Sequence, residues 1–207
     1  MLSPASSGPN RASYHAKKPN YSPMDEQLRQ AAHMFFGVGI AAMALFLEQP
    51  LVVLILAASL FAGFILTDSL MRGYKLPLIT PLVDTLERKV ALPGKGAFYF
   101  TASALFCILL FPTVIAAAGI LSLAVLDGIA TVVGIHFGKH RIRNGKSVEG
   151  SAVGIAANAL VLLALLPPVE AIGASLLAGL VELVSPVDDN LTIPIAVCLL
   201  LAALGIM

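Results

Sequence analysis

The chain has 207 residues, 58% hydrophobic and only 12% charged, with a mean hydropathy of +0.90 and a formal net charge of +1. That is about half the charge of an ordinary soluble domain; it excludes a soluble globular protein, and the apolar content excludes a disordered one. Cys107 and Cys198 both lie in apolar runs and read as small hydrophobes, so a disulfide scaffold is excluded too.

Residues 1–27 differ in material from the rest: Ser3, Pro4, Gly8, Pro9 and Asn10 are followed by Arg11, Lys17 and Lys18 among further prolines and polar residues. They read as a disordered cytoplasmic tail. No apolar stretch with a small-residue cleavage site precedes Gln30, so the first span is expected to serve as the insertion signal.

Residues 28–207 read as one all-α, polytopic membrane domain. Uncharged runs of membrane length recur at 30–47, 50–66, 96–111, 113–137, 151–166, 169–184 and 191–207. The runs are continuously apolar and not alternating, which predicts helices and not a barrel. Phe111-Pro112, Pro167-Pro168 and Ser185-Pro186 mark reversals. Seven spans are expected, with six or eight as alternatives.

If alternate connections lie on opposite sides of the membrane, all 13 Lys and Arg fall on one side: the tail through Arg29, the connection 68–95 and the connection 138–150. The other side has Glu48 and Glu170 and no basic residue. The positive-inside rule makes the basic side cytoplasmic, with the amino terminus inside.

Basic inner loops are common for topology alone, but one of these has unusual neighbours. Asp127 stands about two turns inside an apolar run, where an unpartnered carboxylate costs at least about 2.5 kcal/mol. Asp127, Thr131 and Gly134 share a helical face at i, i+4 and i+7. Gly138, Lys139, Gly145, Lys146 and Ser147 follow, residue types that together make a phosphate cradle. Glu149 beside Lys146 is a candidate to complete a divalent-metal site with Asp127. A helix kinked by small residues and followed by a topological basic loop is the equal alternative.

Other polar groups lie near the same side. His33, one turn beyond Arg29, either caps its helix or touches a ligand. Asn158 follows Gly150 and Gly154 at four-residue steps, a pattern more often helix glue than a site. Glu182, Asp188 and Asp189 gather acids where the lysines are, which suits a cation.

At this point the sequence resembles a known group, the CTP-dependent lipid kinases (dolichol, phytol and farnesol kinases and the CTP-using diacylglycerol kinase), similar to phosphatidate cytidylyltransferases. The resemblance is carried by the 127–139 run, by Lys146-Ser147-Val148-Glu149-Gly150-Ser151 and by Asp189-Asn190-Leu191-Thr192-Ile193-Pro194. Leu28-Arg29 with His33, and Gly96-Ala97-Phe98-Tyr99 through Pro112, are similar to two further blocks of the group, in its order. Gln30 departs from a second basic residue and Leu126 from a glycine.

The resemblance implies transfer of the γ-phosphoryl of CTP to the hydroxyl of a membrane lipid alcohol of polyprenol, phytol or diacylglycerol type. It implies that Lys146 and Lys139, with Arg29, Gly134, Gly138, Gly145, Ser147 and Gly150, hold the nucleotide. Asp127, Glu149, Glu182, Asp188 and Asp189 would hold Mg²⁺, with Asp127, Lys146 and Glu149 catalytic, and His33, Asn158 and Asn190 would face the lipid headgroup. The expected partners are CTP, the lipid alcohol and the bilayer, with no nucleic acid. The expected site is the plasma membrane in a prokaryote or the endoplasmic reticulum in a eukaryote, with the active site on the cytoplasmic face. A CTP:lipid-phosphate cytidylyltransferase and an ion-coupled transporter are the rival readings.

Overall fold

An apolar run in an apolar surround leaves backbone N–H and C=O groups no partner but each other, and the helix satisfies them within one segment. The computed structural model is accordingly helical throughout the elements it defines. It describes residues 23–77, 80, 81, 83, 93–142 and 146–206. Among these, seven helices are defined: α1 (Pro23–Phe46), α2 (Gln49–Met71), α3 (Lys95–Leu110), α4 (Thr113–Phe137), α5 (Val148–Leu162), α6 (Pro168–Val184) and α7 (Asp189–Ala203).

Each of the seven apolar runs falls on one helix, and the proline pairs sit at the breaks. The start of α1 differs from the sequence expectation: residues 23–27, assigned to the tail, form its first turns. Pro23 has a preset φ and needs no N–H bond there, and Glu26 suits the positive end of a helix. Residues 1–22 of the expected tail lie outside the described residues. By length and composition α1 (from Glu26), α2 and α4 are candidate membrane spans, while α3, α5 and α7 are shorter apolar helices.

α4 is the axis of the fold. It is apolar all round, a pattern that demands burial on every side, and residues 115–126 are all buried. α1, α3, α5, α6 and α7 pack around it, whereas α2 leans on α3 and scarcely meets α1. Only 17% of the most apolar stretch of α2 is buried, against 61% for α4. Leu54, Phe61 and Phe64 on α2 and Phe35 and Phe46 on α1 are therefore exposed on the outer flank. Exposed apolar surface of this kind marks a membrane or protein contact.

Pro194 lies inside α7, where its missing N–H frees the carbonyl of Asn190 four residues earlier. The hydroxyl of Ser103 on α3 stands 2.7 Å from that oxygen and 2.9 Å from the carbonyl of Phe100. The vacated acceptor thus ties α7 to α3. Ser103→Ala is expected to lower stability by about 1–3 kcal/mol by leaving a buried acceptor unmet. Adding Pro194→Ala, which restores the N–H, is expected to recover part of that loss. Thermal unfolding of the two variants in detergent checks the pair, and no difference between them contradicts the assignment.

Candidate active site

α1, α3, α5 and α7 begin, and α2, α4 and α6 end, at one end of the bundle, so the residues of alternate connections meet there. A cavity of about 1010 Å³ opens among these ends. Its floor is charged and its side arm is apolar. Glu26, Arg29, Lys95, Asp127, Lys146 and Glu182 contribute to the floor. The arm runs along α1 and α2 past Phe36, Ile40, Met43, Ile55 and Leu56, through the space left where these two helices scarcely touch. Phe36, at the start of the arm, is also 61% exposed.

Lys146 occupies the centre of the floor. Its Nζ stands 2.6 Å from Asp189 Oδ2, 3.0 Å from Glu182 Oε1 and 3.8 Å from Asp127 Oδ1. Three acids from three helices thus share one ammonium. Burial alone would lower the pKa of Lys146, but the charges of Asp127, Glu182 and Asp189 outweigh it and hold the group above the usual lysine range. The ammonium is charged at any physiological pH. Glu182 is buried, and its Oε1, although in ionic contact with Lys146, accepts no hydrogen bond.

The loop that delivers Lys146 is pinned on both sides. Ile142 N donates to Lys146 O at 2.7 Å and Val148 N to His140 O at 3.0 Å, with Arg141 and Ser147 bridged antiparallel. The next residues divide the work of holding it. Ser147 caps α5, its Oγ accepting from Gly150 N at 3.1 Å. Glu149 turns away from the cavity and accepts from the amides of Lys139 and His140, while His140 Nδ1 lies 2.6 Å from its Oε1. The His140 side chain and these amides hold the Glu149 carboxyl down to about 2. Ser151 Oγ donates to Glu182 Oε2 at 3.4 Å, orienting the buried acid toward Lys146.

Gly150 is required by packing. A Cβ there would run into the carbonyl of Ala130 on α4, and one on Gly138 would meet the carbonyl of Gly134 and Ser147. The close approach of α5 to α4 puts the Lys146 loop within reach of Asp127.

The expected site residues therefore separate. Arg29, His33, Asp127, Gly134, Lys146 and Ser147 line the cavity, as do Glu182, Asp188, Asp189 and Asn190. Gly138, Lys139, Glu149, Gly150 and Asn158 do not line it, and Gly145 lies outside the described residues. Lys139 is exposed. Asn158 is buried deeper in the bundle, donating to Ser122 Oγ at 3.2 Å and Ser175 Oγ at 3.0 Å, which joins three helices. Asp188 caps α7 by accepting from Asn190 N at 3.2 Å, and its other oxygen lies 3.6 Å from Lys95 Nζ. Arg29 is engaged by Glu26, Nε donating to Oε2 at 3.1 Å and Nη2 pairing with Oε1.

Glu26, Lys95, Arg141 and Ser151 line the cavity without having been singled out from the sequence. The i, i+3 spacing of Glu26 and Arg29 and the place of Ser151 in the 146–151 block were the available signals.

Among the described residues, no three His, Cys, Asp or Glu side chains are grouped to hold a metal ion. The acids are arranged around an ammonium instead. The donors are of the kind Mg²⁺ takes, carboxylate oxygens, and all three face the Lys146 ammonium, Glu182 Oε1 at 3.0 Å.

Fold and site together define a class: an all-helical protein with a lysine-centred acidic pocket at one end of the bundle and an apolar side arm. Over 183 residues, 86% of this chain and 93% of the relative, the chain is 33% identical to the uncharacterized protein MJ1137 of Methanocaldococcus jannaschii. The chain belongs to the family of that protein. No family model matches it, and no solved structure does.

Proposed function

We propose that the chain is a multi-pass membrane kinase that moves the γ-phosphoryl group of CTP onto the hydroxyl of a membrane lipid alcohol, releasing CDP and the lipid monophosphate. The observation that carries this reading is one cavity with two chemistries. A charged floor with Lys146, Arg29 and Lys95 suits a triphosphate, and an apolar arm lined by Phe36, Ile40, Met43, Ile55 and Leu56 suits a hydrocarbon tail. Arg29 to Met43 spans about 20 Å of helix at about 1.5 Å per residue, enough to follow a lipid tail well into a bilayer. Preference for cytosine rests on the family resemblance.

In this reading all seven helices span the membrane, the shorter ones by virtue of local thinning, and the basic end faces the cytoplasm. The membrane is the plasma membrane in a prokaryote and the endoplasmic reticulum in a eukaryote. The lipid enters sideways between α1 and α2 with its tail still in hydrocarbon.

Phosphoryl transfer is mostly positioning and charge stabilisation. Lys146 moves from the acids to the phosphates as the nucleotide arrives, and Arg29 and Lys95 add positive charge at the mouth. Asp127, Glu182 and Asp189 are the residues that would hold Mg²⁺, which supplies charge neutralisation to the phosphates. Ser147 and the hydrogen bonds at Ile142 and Val148 keep the Lys146 loop in place.

Asp127→Asn tests the reading. It keeps the size of the side chain and removes the charge, so the protein is expected to insert and fold while transfer of γ-label from CTP to lipid falls by about 100-fold or more. Transfer at the wild-type rate removes Asp127 from the chemistry.

A further inference from the structure

The proton on the lipid hydroxyl has to leave as the new P–O bond forms, and the acids of the floor are ill placed to take it. Asp127, Glu182 and Asp189 are engaged with Lys146 and, once it moves to the phosphates, would hold Mg²⁺; Asp188 is engaged with Asn190 and Lys95, and Glu26 with Arg29. One titratable group lining the cavity has a different situation. His33 lies on α1 one turn beyond Arg29 and one turn before Gly37, on the stretch of helix where the charged floor gives way to the apolar arm beginning at Phe36. Its ring packs against Phe100 of α3, centroids 4.8 Å apart at 48°, which fixes its plane. Its Nε2 is buried and has no hydrogen-bond partner among the described residues.

A buried ring nitrogen left unpaired is costly, and a ligand hydroxyl would relieve it. A lipid alcohol with its tail in the arm and its head toward the phosphates brings its hydroxyl to this boundary. The charges that face the ring are Arg29 on its own helix, Asp127 from α4 and Asp188 from the start of α7. The neutral ring, with an unpaired nitrogen facing this boundary, is the form that can accept a proton from a hydroxyl.

Resting on the lipid-kinase reading above, we propose that His33 is the general base of the reaction, accepting the proton of the lipid hydroxyl at Nε2. The alcohol oxygen forms its bond to the γ-phosphorus as the bond from that phosphorus to the β-bridging oxygen breaks. The electron pair of the broken bond leaves with CDP. The hydroxyl proton passes to the lone pair of Nε2, and the resulting imidazolium returns it to solvent through the open floor.

The test uses the full chain in lipid nanodiscs with γ-labelled CTP, Mg²⁺ and three acceptors assayed separately: a polyprenol, phytol and a diacylglycerol. Wild type, His33→Gln and His33→Ala are compared across pH. For the wild type, kcat is expected to rise with pH through one ionisation of the histidine. In His33→Gln that ionisation is expected to vanish and kcat to fall by about 100-fold or more, with KM for CTP within about twofold because the nucleotide floor is intact. Added imidazole is expected to restore part of the activity of His33→Ala. Such rescue, together with an unchanged KM, separates proton transfer from a packing role against Phe100.

A His33→Gln enzyme with wild-type kcat, or one that keeps the same pH dependence, overturns the assignment while leaving the kinase reading in place. So does a fall in kcat that imidazole does not relieve and that comes with a lowered unfolding temperature. No transfer to any of the three acceptors by the wild type overturns the kinase reading and this assignment with it.

Discussion

Lys146→Ala is expected to abolish phosphoryl transfer and to make the remaining fold dependent on pH. The wild-type ammonium is within 4 Å of acids from three helices, so removing it leaves Asp127, Glu182 and Asp189 facing one another with no cation between them. Breaking a buried ionic cluster from one side costs about 3–5 kcal/mol, less here because the cavity admits water. The remaining acids relieve their repulsion by taking up protons more readily than they do in the unfolded chain, so they lower stability as pH rises and restore it as pH falls. Thermal unfolding of Lys146→Ala is therefore expected to improve from pH 8 to pH 5, with the wild type changing much less. Transfer of label from CTP is expected to fall by about 100-fold or more, the scale of losing a charged group at the reacting centre. A variant with unchanged rate and unchanged pH dependence would return the 138–150 loop to a purely topological role.

Gly150→Val is expected to have the second-largest effect, and entirely through packing. Any Cβ at this position meets the backbone carbonyl of Ala130, which cannot rotate aside as a side chain does, and Ser147 Oγ and Gly134 lie close by. α5 would have to withdraw from α4, carrying Ser147 and Lys146 away from Asp127. Overpacking of this kind costs about 1–3 kcal/mol and sometimes more, and activity is expected to fall with it. Gly39→Val is the control: nothing stands within 4 Å of a Cβ there, so the same change on α1 is expected to leave the unfolding temperature nearly unaltered. Equal effects at the two positions would contradict the helix contact on which the site geometry depends.

The division between what could and could not be read from the sequence follows from how each feature is encoded. The helices were legible because continuous apolar runs have one backbone solution and because Phe111-Pro112, Pro167-Pro168 and Ser185-Pro186 punctuate them. The start of α1 was missed by seven residues relative to 30, since Asp25, Glu26 and Arg29 interrupt the apolar signal while still favouring a helix. Asp127 stood out because a carboxylate inside an apolar run is costly, Lys146 by the glycines and serine beside it and Asp189 as one of three gathered acids, and the three come together in the structure.

Roles within the 146–151 block were not legible, since spacing does not say whether a glycine bends toward a ligand or admits a neighbouring helix. Gly150 does the latter, and Glu149 binds its own loop while Glu182, more than thirty residues away, faces Lys146. The apolar arm was invisible for a different reason: Ile40, Met43 and Leu56 have the same composition as residues that face lipid or core. Only the loose contact between α1 and α2 turns them into a lining.

The proposed activity is defined by which phosphorus of CTP moves, and to what. The full chain in lipid, supplied with Mg²⁺ and a polyprenol, phytol or diacylglycerol, is given CTP labelled at the γ position in one reaction and at the α position in another. γ-Label alone is expected to enter the lipid fraction, with CDP as the other product. Entry of α-label with release of pyrophosphate would make the protein a cytidylyltransferase. Absence of both labels from every lipid would contradict the account and leave the acids around Lys146 to be explained as an ion path.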